Sequence, residues 1–264
     1  MSDRHLLHGY GVVITGAAGG LGAAAARGFY AAGARVVLAD IDTAGVERAA
    51  HTLDASGKRA RGAACDVTRE DDCARLIDEA ERFFGAPLDV FHANAGVGLG
   101  GDLLSFEAAQ IRRVVEVNVT GSILSAQAAL RSLVRSPHAS LLFTGSLQSV
   151  AARPMRAVYT ATKHAIAGLV KGLALEFGPR GVRVNAVAPA AVDGAFMRAQ
   201  VAATGADVNL VVGQMASALP LGRLPTADDF ADAAVFLASP AARSITGHTL
   251  FVDGGGAAGM LRPS

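Results

Sequence analysis

Residues 11–22 read Gly11-Val12-Val13-Ile14-Thr15-Gly16-Ala17-Ala18-Gly19-Gly20-Leu21-Gly22. A short β-rich apolar run breaks into a glycine-rich turn, and an alanine-rich stretch of helical composition continues to about Ala32. In that order, strand, turn and helix let bare backbone approach a pyrophosphate and aim a helix N-terminus at the anion. The spacing is Thr-Gly-x3-Gly-x-Gly, which differs from the commoner dinucleotide fingerprint. Alone it is weak evidence.

Moving outward, the next apolar run, Arg35 to Ala39, ends in Asp40. A carboxylate there can accept hydrogen bonds from both ribose hydroxyls of an adenosine and would repel a 2′-phosphate. No Arg or Lys lies in the glycine loop or just after Asp40, so the expected cofactor is NAD(H) over NADP(H). The other reading is that Asp40 opens a turn with Asp42 and caps the following helix. A third strand near Arg59 to Ala64 leads into Cys65-Asp66-Val67, where Asp66 is also placed to cap the helix that follows. That helix, Arg69 to Phe84, carries Leu76, Ile77, Ala80, Phe83 and Phe84 on one side. Leu88 to His92 is a fourth strand, followed by Ala93-Asn94-Ala95-Gly96 and an apolar loop through Gly101; His92 reads as a packed histidine. This alternation predicts an α/β fold, a Rossmann-type doubly wound parallel sheet of about seven strands with helices on both faces.

A second stretch carries the chemistry. Ser146 follows the apolar run Ser140 to Phe143; Tyr159 lies thirteen residues later and Lys163 four beyond that. On a helix, Tyr159 and Lys163 share one face. An ammonium beside a phenol favours the phenolate and brings its pKa toward the operating pH, where proton transfer is efficient. Ser146 is placed to donate to a developing alkoxide. Taken alone, a Tyr and a Lys at this spacing more often describe a half-buried ring beside a lysine stem.

With the glycine turn, the pattern Ser, twelve residues, Tyr, three residues, Lys resembles the short-chain dehydrogenase/reductase family. The resemblance runs from about Gly9 to Gly256, with separate motifs in the right order. It implies that Gly16, Gly20, Leu21 and Gly22 form the phosphate turn and that Asp66 and Val67 border the adenine. It also implies that Asn94, Ala95 and Gly96 pass beside the cofactor, although the family's usual Asn-Asn-Ala-Gly begins here with Ala93. Asn118, in a long helical stretch from Phe106 to about Arg135, would hold a water that links Lys163 to solvent, completing an Asn118, Ser146, Tyr159, Lys163 tetrad. An exposed helix residue is the alternative. Asn is a modest helix former and Gly121 is close by, so a local distortion is expected there. Tyr159 and Lys163 would also touch the nicotinamide ribose, and Pro189 and Val192 would border the nicotinamide. The usual Pro-Gly-x-Ile/Val-x-Thr becomes Pro189-Ala190-Ala191-Val192-Asp193-Gly194, so a threonine that contacts the cofactor is replaced by Gly194. By position, Gln148, Met155, Phe196 and Met197 line the substrate pocket, and assembly as a homotetramer is implied.

Composition sets the remaining bounds. The 264 residues are 51% hydrophobic and 18% charged, with a net charge of +1. There is no electrostatic reason to expect nucleic acid or an anionic membrane as partner. No apolar run approaches about 20 residues and the N-terminus is polar, so a cytoplasmic protein is expected. Cys65 and Cys73 lack metal-site spacing, and no metal is called for. One domain over residues 1–264 is the simplest account. A variable lid at about 195–220 carries Leu210, Val211, Val212 and Met215, which would either face a substrate with hydrocarbon surface or anchor the lid. The helix after Lys163 has more apolar surface than one core stripe, for a second subunit or for the monomer core. The function expected is NAD(H)-dependent interconversion of a secondary alcohol and a ketone. An NAD(H)-binding dehydratase or epimerase, or a non-catalytic NAD(H)-binding sensor or scaffold, is the alternative.

Overall fold

The computed structural model describes residues 6–194, 197–198, 201–202 and 205–259. Strands β1 (Gly11–Thr15), β2 (Arg35–Asp40), β3 (Ala60–Ala64), β4 (Val90–Ala93), β5 (Ser140–Thr144), β6 (Arg183–Pro189) and β7 (Thr249–Val252) join one sheet. Their order is β3-β2-β1-β4-β5-β6-β7, every neighbour parallel. The connections therefore diverge at β1 and β4. That opens a crevice at the carboxyl ends of these two strands, where such folds bind ligands.

Helices α1 (Gly20–Ala31), α2 (Thr43–Leu53), α3 (Glu70–Phe84), α4 (Ala108–Val115), α5 (Ser122–Leu133), α6 (Ala157–Phe177), α7 (Val208–Ser217) and α8 (Ala227–Ala238) complete the frame. Strand side chains alternate between two cores. Val13, Phe91, Leu141 and Val184 face α3, α5 and α6, with Leu76, Leu133, Ile166 and Val170. Val12, Ile14, Leu38 and Leu142 face α1, α2 and α8, with Phe29, Val46 and Phe230. Burial on both faces explains why β1 is an unbroken apolar run rather than an alternating one.

Local chemistry sets most boundaries. Thr226 caps α8: its Oγ1 accepts from Asp229 N at 3.1 Å, and the Asp229 carboxylate accepts from Thr226 N at 2.8 Å. Gly85, at φ +69°, ends α3. The β4 strand starts two residues later than the apolar run suggests; just ahead of it, the Asp89 carboxylate accepts from Gly11 N and Ser136 Oγ. The one long helix expected over 106–135 is broken. A π-helical segment, Glu116–Gly121, separates α4 from α5. Ser122 and Ser125 donate to the carbonyls of Asn118 and Gly121, and a Cβ on Gly121 would lie 2.7 Å from Val67 Cγ2. The glycine therefore lets the widened turn pack on the loop after β3.

Candidate active site

The glycine turn is shaped by a close approach. Gly16 adopts φ +66°, and an added Cβ would lie 2.7 Å from Ala95 Cα; at Gly22 it would collide with the Gly16 carbonyl oxygen. The partner is the segment after β4. Asn94 Nδ2 donates to the carbonyls of Thr15 and Gly16, while Thr15 Oγ1 accepts from the backbone N–H groups of Asn94 and Ala95. Asn94 thus ties the ends of β1 and β4 together without the family's preceding asparagine. Helix α1 begins with no side-chain cap and no acidic residue in its first turn, and a Cβ at Gly20 would meet nothing within 4 Å. Its exposed N–H groups and bare backbone fit an anion.

Asp40 ends β2 facing this turn. Its carboxylate accepts from Ala18 N and Asp42 N, both at 3.1 Å. Asp40 does open a turn with Asp42, but the cap of α2 is Asp42 itself, which accepts from Gly45 N. Asp66 likewise closes its own turn, accepting from Thr68 N and Oγ1, and Arg69 holds the cap position of α3. Val67 is buried beside it.

Ser146, Tyr159 and Lys163 come together at the end of β5. Ser146 sits on extended backbone (φ −163°) opening a short turn; its Oγ accepts from Gln148 N, and its O–H is directed at the Tyr159 phenol. Lys163 is buried and donates from Nζ to the Thr144 carbonyl at 2.8 Å. Its ammonium is 5.7 Å from the centroid of the Tyr159 ring. Burial lowers the Lys163 pKa to about 8.

The expected depression of the phenol is corrected here. Burial raises the Tyr159 pKa, while the Ser146 hydroxyl and the Arg156 guanidinium pull it the other way. Desolvation outweighs both, and Lys163 spends its ammonium on a carbonyl.

Asn118 is buried, not an exposed helix residue. Its Oδ1 accepts from Val97 N at 2.8 Å, and Nδ2 donates to the Val97 carbonyl and to Thr162 Oγ1. Thr162 Oγ1 in turn donates to the Tyr159 carbonyl at 2.7 Å. Both amide N–H groups of the side chain are thus spent on protein partners. The side chain clamps the loop after β4 to the helix that bears Tyr159.

Beneath these residues lies a polar knot that sequence reasoning missed. Thr144 Oγ1 donates to Asn94 Oδ1 at 2.8 Å and so must accept from His92 Nε2, 3.0 Å away. This sets the His92 tautomer and leaves Nδ1 as a buried acceptor without a partner among the described residues. Burial drives the imidazole pKa down to about 3, so it is a neutral, packed histidine. Thr144 adjoins the Gly145-Ser146 pair, the one signal that pointed to it.

Of the pocket candidates, Gln148 is half-buried and accepts from Thr160 Oγ1 at 2.7 Å, and Met155 is exposed at φ +62°. Met197 is half-buried, and Phe196 lies outside the described residues. Pro189 ends β6 opposite Val252, with Val192 three residues on. A Cβ at Gly194 would meet nothing within 4 Å; beside it, Asp193 forms a two-pronged ion pair with Arg198, which also reaches Asn209 at the start of α7. Among the described residues no helix is long and apolar enough to cross a membrane.

The sheet order, the glycine turn over the crevice and the cluster at the end of β5 define a Rossmann-fold protein. A family model described as enoyl-(acyl carrier protein) reductase matches residues 16–256. The chain is 35% identical to 2-(S)-hydroxypropyl-CoM dehydrogenase 3 of Xanthobacter autotrophicus, covering 92% of this chain and 95% of that protein. It is 38% identical to cis-4-hydroxycyclohexanecarboxylate dehydrogenase of Sinomonas cyclohexanicum, covering 92% and 94%. A crystal structure of 3-ketoacyl-(acyl-carrier-protein) reductase from Brucella melitensis complexed with NADH superposes with a TM-score of 0.84 at 33% identity, covering 95% of this chain and 99% of that one. The chain belongs to the short-chain dehydrogenase/reductase family.

Proposed function

We propose that the protein is an NAD(H)-dependent dehydrogenase that interconverts a secondary alcohol and a ketone. The observation that carries this reading is the convergence of Ser146, Tyr159 and buried Lys163 at the end of β5, next to a glycine turn whose helix is left uncapped. The dehydrogenase names of the relatives and the NADH in the Brucella reductase support it.

Gly16, Gly20, Leu21 and Gly22 hold the pyrophosphate at the start of α1, Asp40 takes the adenosine ribose, and Asp66 and Val67 border the adenine. Asn94, Ala95 and Gly96 flank the cofactor, and Pro189 and Val192 border the nicotinamide. When bound, the nicotinamide supplies the hydride acceptor or donor. Ser146 donates to the substrate oxygen, and Tyr159 takes the hydroxyl proton in oxidation and returns it in reduction. Lys163 holds the ribose and adds positive charge beside the phenol. Asn118 positions Tyr159 through Thr162. Residues 195–220 serve as the lid of a single catalytic domain. Subunits pair through the apolar groove between α5 and α6, lined by Ile123, Leu130, Leu169, Leu173 and Phe177, toward a cytoplasmic homotetramer.

Absorbance at 340 nm tests the reaction. With NAD+ and a panel of secondary alcohols, steady NADH formation is expected, and replacing Tyr159 by Phe should reduce it at least about 100-fold while NADH still binds. Substrate conversion without net NADH change would instead indicate a dehydratase or epimerase.

A further inference from the structure

Arg156 stands immediately before α6, one helical turn ahead of Tyr159. Its placement is deliberate in the backbone. Met155, just before it, takes φ +62°, a left-handed conformation that side chains disfavour, and Gly101 N holds the Met155 carbonyl at 2.9 Å. The guanidinium turns onto the loop after β4, where two glycines make room for it. A Cβ on Gly100 would lie 2.9 Å from Arg156 Cζ, and one on Gly98 would lie 3.7 Å from Nη1.

The charge is uncompensated. Arg156 is half-buried, and among the described residues its guanidinium has neither an ion-pair nor a hydrogen-bond partner. No acidic residue occupies the first turn of α6. The cation also sits at the positive end of the helix dipole, where positive charge is disfavoured. Its field reaches the active site, since it lowers the Tyr159 pKa. A guanidinium that is partly desolvated, unpaired and carried one helical turn ahead of Tyr159 is arranged to meet an anion, and its planar fork matches an oxyanion's two oxygens.

We propose that Arg156 is a specificity-determining residue that binds a carboxylate or sulfonate on the substrate. This rests on the dehydrogenase reading and narrows it. The substrate is a hydroxy acid and the product its keto acid. The exposed side chains of Val150 and Met155 supply apolar wall for the hydrocarbon between the two groups.

The test compares acids with matched neutral esters. kcat/KM with NAD+ is measured for cis-4-hydroxycyclohexanecarboxylate, 3-hydroxybutyrate and their methyl esters, with 2-hydroxypropanesulfonate distinguishing sulfonate from carboxylate. The full chain should prefer at least one acid to its neutral counterpart. In Arg156→Gln the acid-to-ester ratio should fall about 10- to 100-fold, chiefly through KM. Arg156→Lys should restore part of it, and Gly100→Ala, which displaces the guanidinium, should produce the same selective loss. A preference for esters, or equal losses on acid and ester, overturns the proposal. Calorimetric binding of 4-oxocyclohexanecarboxylate and its methyl ester in the presence of NADH decides independently of turnover. If no alcohol is oxidised, the dehydrogenase reading fails, yet Arg156-dependent preference for the acid still supports the anchor and equal binding still overturns it.

Discussion

The Lys163 ammonium donates to the Thr144 carbonyl at 2.8 Å, so the buried cation at the centre of the site is held by main chain and not by a carboxylate. With no opposite charge to offset desolvation, its pKa falls from 10.5 to about 8.

This makes stability pH-dependent in a defined direction. Between about pH 8 and 10.5 the unfolded chain binds a proton at Lys163 that the native chain does not, so this residue's contribution rises with pH across that window. Below about pH 8 the native state carries the full burial penalty, roughly 3 kcal/mol at 1.36 kcal/mol per pKa unit. Urea unfolding of the protein and of Lys163→Met from pH 7 to 10 checks this. The difference should move in favour of the unmutated protein above pH 8, and a constant difference would count against it.

Asn118→Ala strips Val97 of partners for both its N–H and its carbonyl. Stability should fall by about 1–3 kcal/mol, the usual cost of leaving buried polar groups unsatisfied. Asn118→Asp keeps the acceptor for Val97 N but loses both donations, so it should destabilise as well. Denaturation midpoints would show it, and a midpoint unchanged in both variants would mean the clamp contributes nothing.

Asp40→Ala removes the carboxylate proposed to read the ribose. Affinity for NADH should drop about tenfold, and discrimination against NADPH should narrow. Fluorescence titration with both nucleotides measures it; tighter binding of NADPH by the unmutated protein would refute the assignment.

Gly22→Ala puts a methyl group against the Gly16 carbonyl and 2.7 Å from Asn94 Nδ2. Overpacking of this kind costs about 1–3 kcal/mol, and here it also displaces the phosphate turn. Loss of NADH affinity together with a lower melting temperature is expected. Retention of both would show that the turn can relax.

Much of the frame was legible because its signals are local. The glycine spacing and the i, i+4 relation of Tyr159 and Lys163 each depend on residues within one or two turns. What escaped depends on distance in sequence or on burial. The partner of Asn118 lies 21 residues earlier, and the partner of Lys163 is a carbonyl, which no residue type encodes. The distortion expected at Asn118 and Gly121 is present as the π-helical turn, although its form was not legible. The direction of the phenol shift depends on how deeply the whole fold buries Tyr159, which no motif states.

Lys163, Asn118 and Asn94 all grip peptide groups: the Thr144 carbonyl, both polar atoms of Val97, and the carbonyls of Thr15 and Gly16. Peptide groups persist whatever side chains neighbouring positions carry. Drift along the rim of the cleft can therefore rewrite which molecule is accepted without loosening the machinery underneath.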